Sequence, residues 1–238
     1  MLGTYYGSFS TAISSLFLPR ATKMIATSST AEELTDMMVK IGRLSLIVLF
    51  YILGAFILFG RDFISLWVGE GYHDAWFVAL VLMFGYTTPL VQSFANSILE
   101  ARALLSFKAL LYLGVIALGT VIGALLVKNY GVAGMVVGSV AAWCASQIVM
   151  NVYYSKVLKL NVFRFFKELY RRILAAFLFV MIVCTFAAFH GTIGWAYLVV
   201  NVSIYSAVYA VVMFRFGMNT FEKDLVVVPF MKLGIIRA

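Results

Sequence analysis

The chain has 238 residues, of which 63% are apolar and only 12% charged. A soluble domain carries about 25% charged residues, so an ordinary water-soluble globule is excluded. The net charge of +8 does not point to nucleic acid, because the cations sit immediately beside long apolar runs, and no nucleic-acid role is expected.

Seven charge-free apolar runs are long enough to cross a hydrocarbon core of roughly 30 Å as helices. They cover 2–18, 44–60, 76–99, 109–127, 132–153, 173–189 and 195–214. A β-barrel would show alternating segments of about ten residues, and these runs do not alternate. The expected fold class is all-α: one polytopic membrane helical bundle over residues 1–238, with about seven transmembrane helices. Sixteen of the eighteen Lys and Arg fall in alternate connections on one side, and two on the other. This is the positive-inside pattern. It predicts an external N-terminus and a cytoplasmic C-terminus.

The first run begins at Met1 without a basic flank, so it is no signal peptide. Thr4, Ser8, Thr11 and Ser15 recur along it at steps of four, three and four, which places them on one helical face. An external N-terminus with no preceding charge is an awkward start for insertion, and the expectation is a chain that lacks an upstream portion. Pro19 ends the run.

Ser29 and Glu32 then fit a capping box. Leu34, Met37, Met38 and Ile41 follow at helical spacing, predicting an amphipathic surface helix that leads into the second span. The loop GRDFISLWVGEGYHDAW carries interfacial aromatics. Its Glu70, His73 and Asp74 are read as a solvated acidic loop, because the trio is short and lacks a fourth ligand. No metal is expected.

The third run, LMFGYTTPLVQSFANSILEAR, is the most informative. A helix in oil here carries a breaker, Pro89, and two amides, Gln92 and Asn96. On a helix, Gly85, Thr88, Gln92 and Asn96 share one face at steps of three, four and four. Such groups are tolerated where a neighbouring helix or a water-filled cavity satisfies them. Interhelical hydrogen bonding and cavity lining both remain open. The candidate cavity-lining residues are Thr88, Pro89, Gln92 and Asn96, with Thr4, Ser8, Thr11 and Ser15 of the first run.

The fourth and fifth runs form a hairpin through VKNYGVAG. Gly119 and Gly123 make one small-xxx-small pair; Gly134 and Gly138 make another, continued by Ala142 and Ser146. These predict close helix packing. The segment SKVLKLNVFRFFKELYRR, with six cations and one acid, predicts a second surface helix meeting anionic headgroups. The sixth and seventh runs form another hairpin through HGTIG. In the tail, Pro229 argues against one unbroken helix. Cys144 and Cys184 fall inside runs and read as buried free thiols.

No Asp, Glu, Lys or Arg lies inside any run, so no buried proton relay is visible. There is no phosphate-binding loop and no catalytic or HExxH set. The two His, His73 and His190, sit at the outer edge. No catalytic residue, no cofactor and no enzyme activity is expected.

Three strings resemble the bacterial polysaccharide flippases, which export lipid-linked oligosaccharides and share a superfamily with the multidrug extruders. GTYYGSFSTAISSLFLPRATKM is similar to their G-x-Y…P…L segment. The outer loop matches through Phe63, Ile64, Leu66, Trp67, Gly69, Tyr72 and Ala75. The following stretch matches through Asn96, Leu99, Ala101, Lys108, Tyr130, Gly131 and Gly134, with Phe107 where the family usually has Gly. The resemblance covers about the first 150 residues. It implies the C-terminal bundle of a two-bundle transporter of up to fourteen helices, the seven runs corresponding to helices eight to fourteen. It further implies residence in the bacterial cytoplasmic membrane, an undecaprenyl-linked oligosaccharide as substrate, alternating access, and a missing N-terminal half as partner besides the lipid bilayer. The family's cavity cations have no counterpart in these runs, so no substrate ligand carries over. A drug or ion antiporter of the same superfamily, and a non-transporting membrane scaffold subunit, stay open as alternatives.

Overall fold

The computed structural model describes residues 5–8, 12, 15, 19, 22–25, 27, 29–187 and 194–232. Among them the elements are all helical: α1 (Ala31–Trp67), a 3-10 turn (Glu70–Tyr72), α2 (His73–Val91), α3 (Ser93–Ala101), α4 (Leu105–Lys156), α5 (Val162–Ala187), α6 (Trp195–Val212), a π-helical turn (Met213–Gly217) and α7 (Thr220–Lys232). Five of these helices are long and apolar enough to cross a bilayer, against seven runs read from the sequence. The run at 2–18 lies largely outside the described residues, and the runs at 109–127 and 132–153 share α4.

The capping box forms one residue later than expected. The Glu33 amide donates to Thr30 Oγ1 at 3.2 Å, and the Glu33 carboxylate accepts from the Thr30 amide at 2.9 Å. There is also no separate amphipathic surface helix. α1 runs unbroken for 37 residues, about 55 Å at 1.5 Å per residue, so its first turns extend well beyond a hydrocarbon core. Leu34, Met38 and Ile41 are buried in protein, packed beneath α5 rather than laid on lipid.

The same correction applies to the basic segment. Its residues 162–172 are the opening turns of α5, continuous with the span, and Phe165 and Leu169 are fully buried. Arg164 fixes this end to α1 through Asp36 at 2.8 Å and Glu32 at 3.6 Å, and pairs with Glu168 at 2.7 Å. These carboxylates, Glu168 foremost, raise the affinity of the Arg164 guanidinium for its proton. α7 likewise continues through Pro229 to Lys232.

The predicted hairpin is present inside α4. Gly131 has φ 58 and ψ −148, a conformation open essentially to glycine alone. The chain reverses there. A Cβ on Gly119 would touch Ser139 and Ala142, one on Gly138 would lie 3.0 Å from the Gly123 amide nitrogen, and one on Gly134 would lie 2.7 Å from the Leu126 carbonyl. These pairs step inward toward Gly131, as two antiparallel arms must, and the small residues let the backbones meet.

The core lies between α1, α5 and α6. Tyr205 donates to the Tyr51 carbonyl at 2.9 Å, Tyr209 to the Ile47 carbonyl at 2.6 Å, and Tyr51 shares a bond with Ser206 at 2.7 Å. Gly54 admits Tyr205 and Phe177 against α1; a side chain there would overlap both. Outward, α4 exposes Leu110, Leu113, Val121, Leu125, Val132 and Ile148. Such a surface would aggregate in water and is ordinary against lipid. Cys184 is buried and Cys144 exposed, which corrects the expectation that both thiols are buried.

Candidate functional site

The third run is not one helix. Pro89 supplies no amide hydrogen to the Gly85 carbonyl, and the helix ends at Val91. Gln92 has φ −95 and ψ 11, far from the helical ψ near −42°. α3 then starts afresh, with the Ala95 amide donating to the Gln92 carbonyl at 2.9 Å.

This break sets the polar side chains to work in three directions. Thr87 Oγ1 meets the Tyr6 hydroxyl at 2.8 Å. Thr88 stands beside Tyr170 of α5. Gln92 Nε2 donates to Asn151 Oδ1 at 2.6 Å, and the Tyr154 hydroxyl donates to Asn96 Oδ1 at 3.0 Å. Gly85 lets Val140 approach, where a Cβ would stand 2.6 Å from its Cγ1. Gly85, Gln92 and Asn96 therefore all address the second arm of α4. Asn151 shares its face with Gln147 and Trp143 at steps of four.

The seam between α2–α3 and α4 keeps spare polar capacity. Gln92 Oε1, Gln147 Nε2 and Trp143 Nε1 are buried without a hydrogen-bond partner, each a group that ordinarily finds one. Beside Trp143 lies a cavity of ≈ 350 Å³, lined in part by Gly85, Tyr86, Thr120 and Ser139. Its lining includes no charged side chain. The arrangement can bind water or neutral hydroxyls; it cannot pass a proton along carboxylates.

Of the first-run candidates, Ser8 is exposed, and Ser15 is exposed with its Oγ bonded to the Ala12 carbonyl at 2.8 Å. Thr4 and Thr11 lie outside the described residues, as do His190 and the side chains of Glu70 and His73. Among the described residues no cluster of three or more His, Cys, Asp or Glu is placed to hold a metal.

A buried ion pair was not foreseen. Arg43 stands one residue before an apolar run, yet is 5% exposed, and Glu222 is fully buried. Arg43 Nη2 donates to Glu222 Oε2 at 3.0 Å and to the Gly217 carbonyl at 2.8 Å; Nη1 donates to the Glu168 carbonyl at 2.9 Å. Nε completes a bidentate pair with Glu222. The Asn219 amide also donates to Glu222, and Asn219 Oδ1 accepts from the Glu222 amide at 2.9 Å. One guanidinium thus ties together α1, α5, the π turn and α7. The Asn219-x-x-Glu222 spacing is a capping box and was the one local signal for it.

The fold and the seam define a class: an all-helical, multi-pass membrane bundle. Comparison with family models, with curated proteins and with solved structures gives no match.

Proposed function

We propose that the chain forms one bundle of a flippase that moves an undecaprenyl-linked oligosaccharide across the cytoplasmic membrane of a bacterium. The observation that carries this reading is where the family-like residues fall. Leu66, Trp67 and Gly69 mark the end of α1, with Gly69 at φ 104. Asn96, Leu99 and Ala101 close α3 just before Ala103, at φ 55. Tyr130 and Gly131 form the reversal of α4. The residues that carry the resemblance are thus ones that shape the turning points of this fold.

The mechanism would be alternating access, in which two bundles rock about a shared site. This chain offers one wall. The uncharged cavity beside its seam, lined in part by Tyr86, Thr120 and Ser139, suits sugar hydroxyls rather than pyrophosphate, and the partner bundle would supply the cations. In this reading the termini lie as the charge asymmetry predicts, N-terminus outside and C-terminus cytoplasmic.

Surface polysaccharide in a flippase-deficient strain tests the proposal. The chain together with a companion N-terminal bundle, supplied as a second polypeptide, restores polysaccharide; the chain alone does not. No restoration by the pair, with both proteins intact in the membrane, overturns the flippase reading. Restoration by the chain alone overturns the single-wall reading.

A further inference from the structure

The face formed by α5 and the π turn carries a groove of ≈ 610 Å³ that the seam does not use. Arg171, Arg172 and Arg215 line it together with Ala175, Phe179 and Phe216. Arg172, Ala175 and Phe179 follow one another at steps of three and four along α5, so cations at one end pass directly into an apolar wall. Phe179 and Phe216 remain 53% and 63% exposed, facing the surroundings of the bundle rather than its core.

The three guanidiniums have no carboxylate paired to them among the described residues. The nearby acids are already engaged: Glu168 holds Arg164, and Glu222 is saturated by Arg43 and the Asn219 amide. Arg171 and Arg172 also line a smaller polar cavity beside Arg43, Glu168 and Asn219.

The groove is held in shape from behind. Arg43 binds the Glu168 carbonyl, one turn before Arg171 and Arg172, and the Gly217 carbonyl, two residues after Arg215. The same buried side chain therefore sets both cation-bearing segments. Arg215 itself sits in a π-helical turn, closed by the Met218 amide on the Met213 carbonyl at 2.8 Å, and such turns are frequent at functional sites.

We infer that this groove binds an anionic glycerophospholipid of the surrounding leaflet, its headgroup phosphate on Arg171, Arg172 and Arg215 and its acyl chains along Phe179 and Phe216. Guanidiniums match phosphate oxygens in bidentate geometry, and basic pockets between membrane helices are suited to anionic headgroups. The inference rests on the membrane reading of the fold and is independent of the flippase assignment.

The test is native mass spectrometry of the full chain, released from detergent after titration with phosphatidylglycerol or with phosphatidylcholine of the same acyl chains. The wild-type chain retains phosphatidylglycerol in preference to phosphatidylcholine. Replacing arginines by glutamine (R171Q, R172Q, R215Q) lowers that preference by roughly fivefold for each one lost. Lysine at the same positions keeps part of it. Ala175→Trp fills the groove and reduces retention with all three charges intact. Equal retention of the two lipids by the wild type overturns the inference without any variant. So does undiminished preference in the triple glutamine variant. Displacement of the lipid by an equal concentration of inorganic phosphate would reassign the cluster as a phosphate site.

Discussion

Replacing Glu222 by Met removes the carboxylate that Arg43 meets with two of its nitrogens. The Arg43 side chain is 6% exposed and that of Glu222 is 0%, so water cannot take over the lost contact. The guanidinium keeps only the Glu168 and Gly217 carbonyls, which carry partial rather than full negative charge. Leaving a charge uncompensated in this way costs about 3–5 kcal/mol. For a chain of this size that corresponds to a fall in Tm on the order of 10 °C. Arg43→Met strands the opposite charge and should cost a similar amount. The double variant also forfeits the charge-assisted bonds to the Glu168 and Gly217 carbonyls and from the Asn219 amide, but it leaves no charge buried without a partner. It should therefore be more stable than either single variant. Thermal denaturation in detergent, followed by size-exclusion profile, measures all three. A double variant as unstable as the two single losses combined would refute the reasoning, as would a Glu222→Met protein melting with the wild type.

Gly131→Ala forces a Cβ into φ 58, ψ −148 and should cost about 1–3 kcal/mol, read as a lower melting temperature; an unchanged one would mean that the reversal does not depend on this conformation. Gln92→Leu removes one interhelical bond, to Asn151, and should cost only about 0.6 kcal/mol, whereas Gly85→Leu, which drives into Val140, should cost several times more; the opposite order would give the amide the larger part in holding the seam. Single cysteines at 72 and 167, in a background lacking Cys144 and Cys184, should react with an impermeant thiol reagent in whole cells at 72 and not at 167, and the reverse would invert the topology read from charge.

The sequence discloses what depends on local pattern and conceals what depends on distant partners. The apolar runs are visible because lipid demands continuous apolar length. The α4 hairpin was legible because Gly119, Gly123, Gly134 and Gly138 imprint close packing at four-residue steps. The capping box shifted by one because Ser29 with Glu32 and Thr30 with Glu33 fit the same spacing, and only the backbone chooses between them. The break at Gln92 was not located. Pro89 announces a fault, but its position is fixed by bonds from Gln92 and Asn96 to residues 59 and 58 positions away. The sequence presents both stretches as surface helices, the first through the helical spacing of Leu34, Met37, Met38 and Ile41 and the second through its six cations and one acid. The structure instead lays the apolar faces of α1 and α5 on each other. Arg43 is the least legible residue: its partner Glu222 lies 179 residues away, and nothing near Arg43 distinguishes it from a flanking cation.

The most direct test of the central claim is reconstitution of the chain in vesicles with a fluorescent undecaprenyl-linked oligosaccharide and a membrane-impermeant quencher. With the companion N-terminal bundle present, the quencher should reach label that began in the inner leaflet. With the chain alone it should reach only the outer-leaflet label. Inner-leaflet label that stays protected in the presence of both bundles, correctly inserted, would contradict the account.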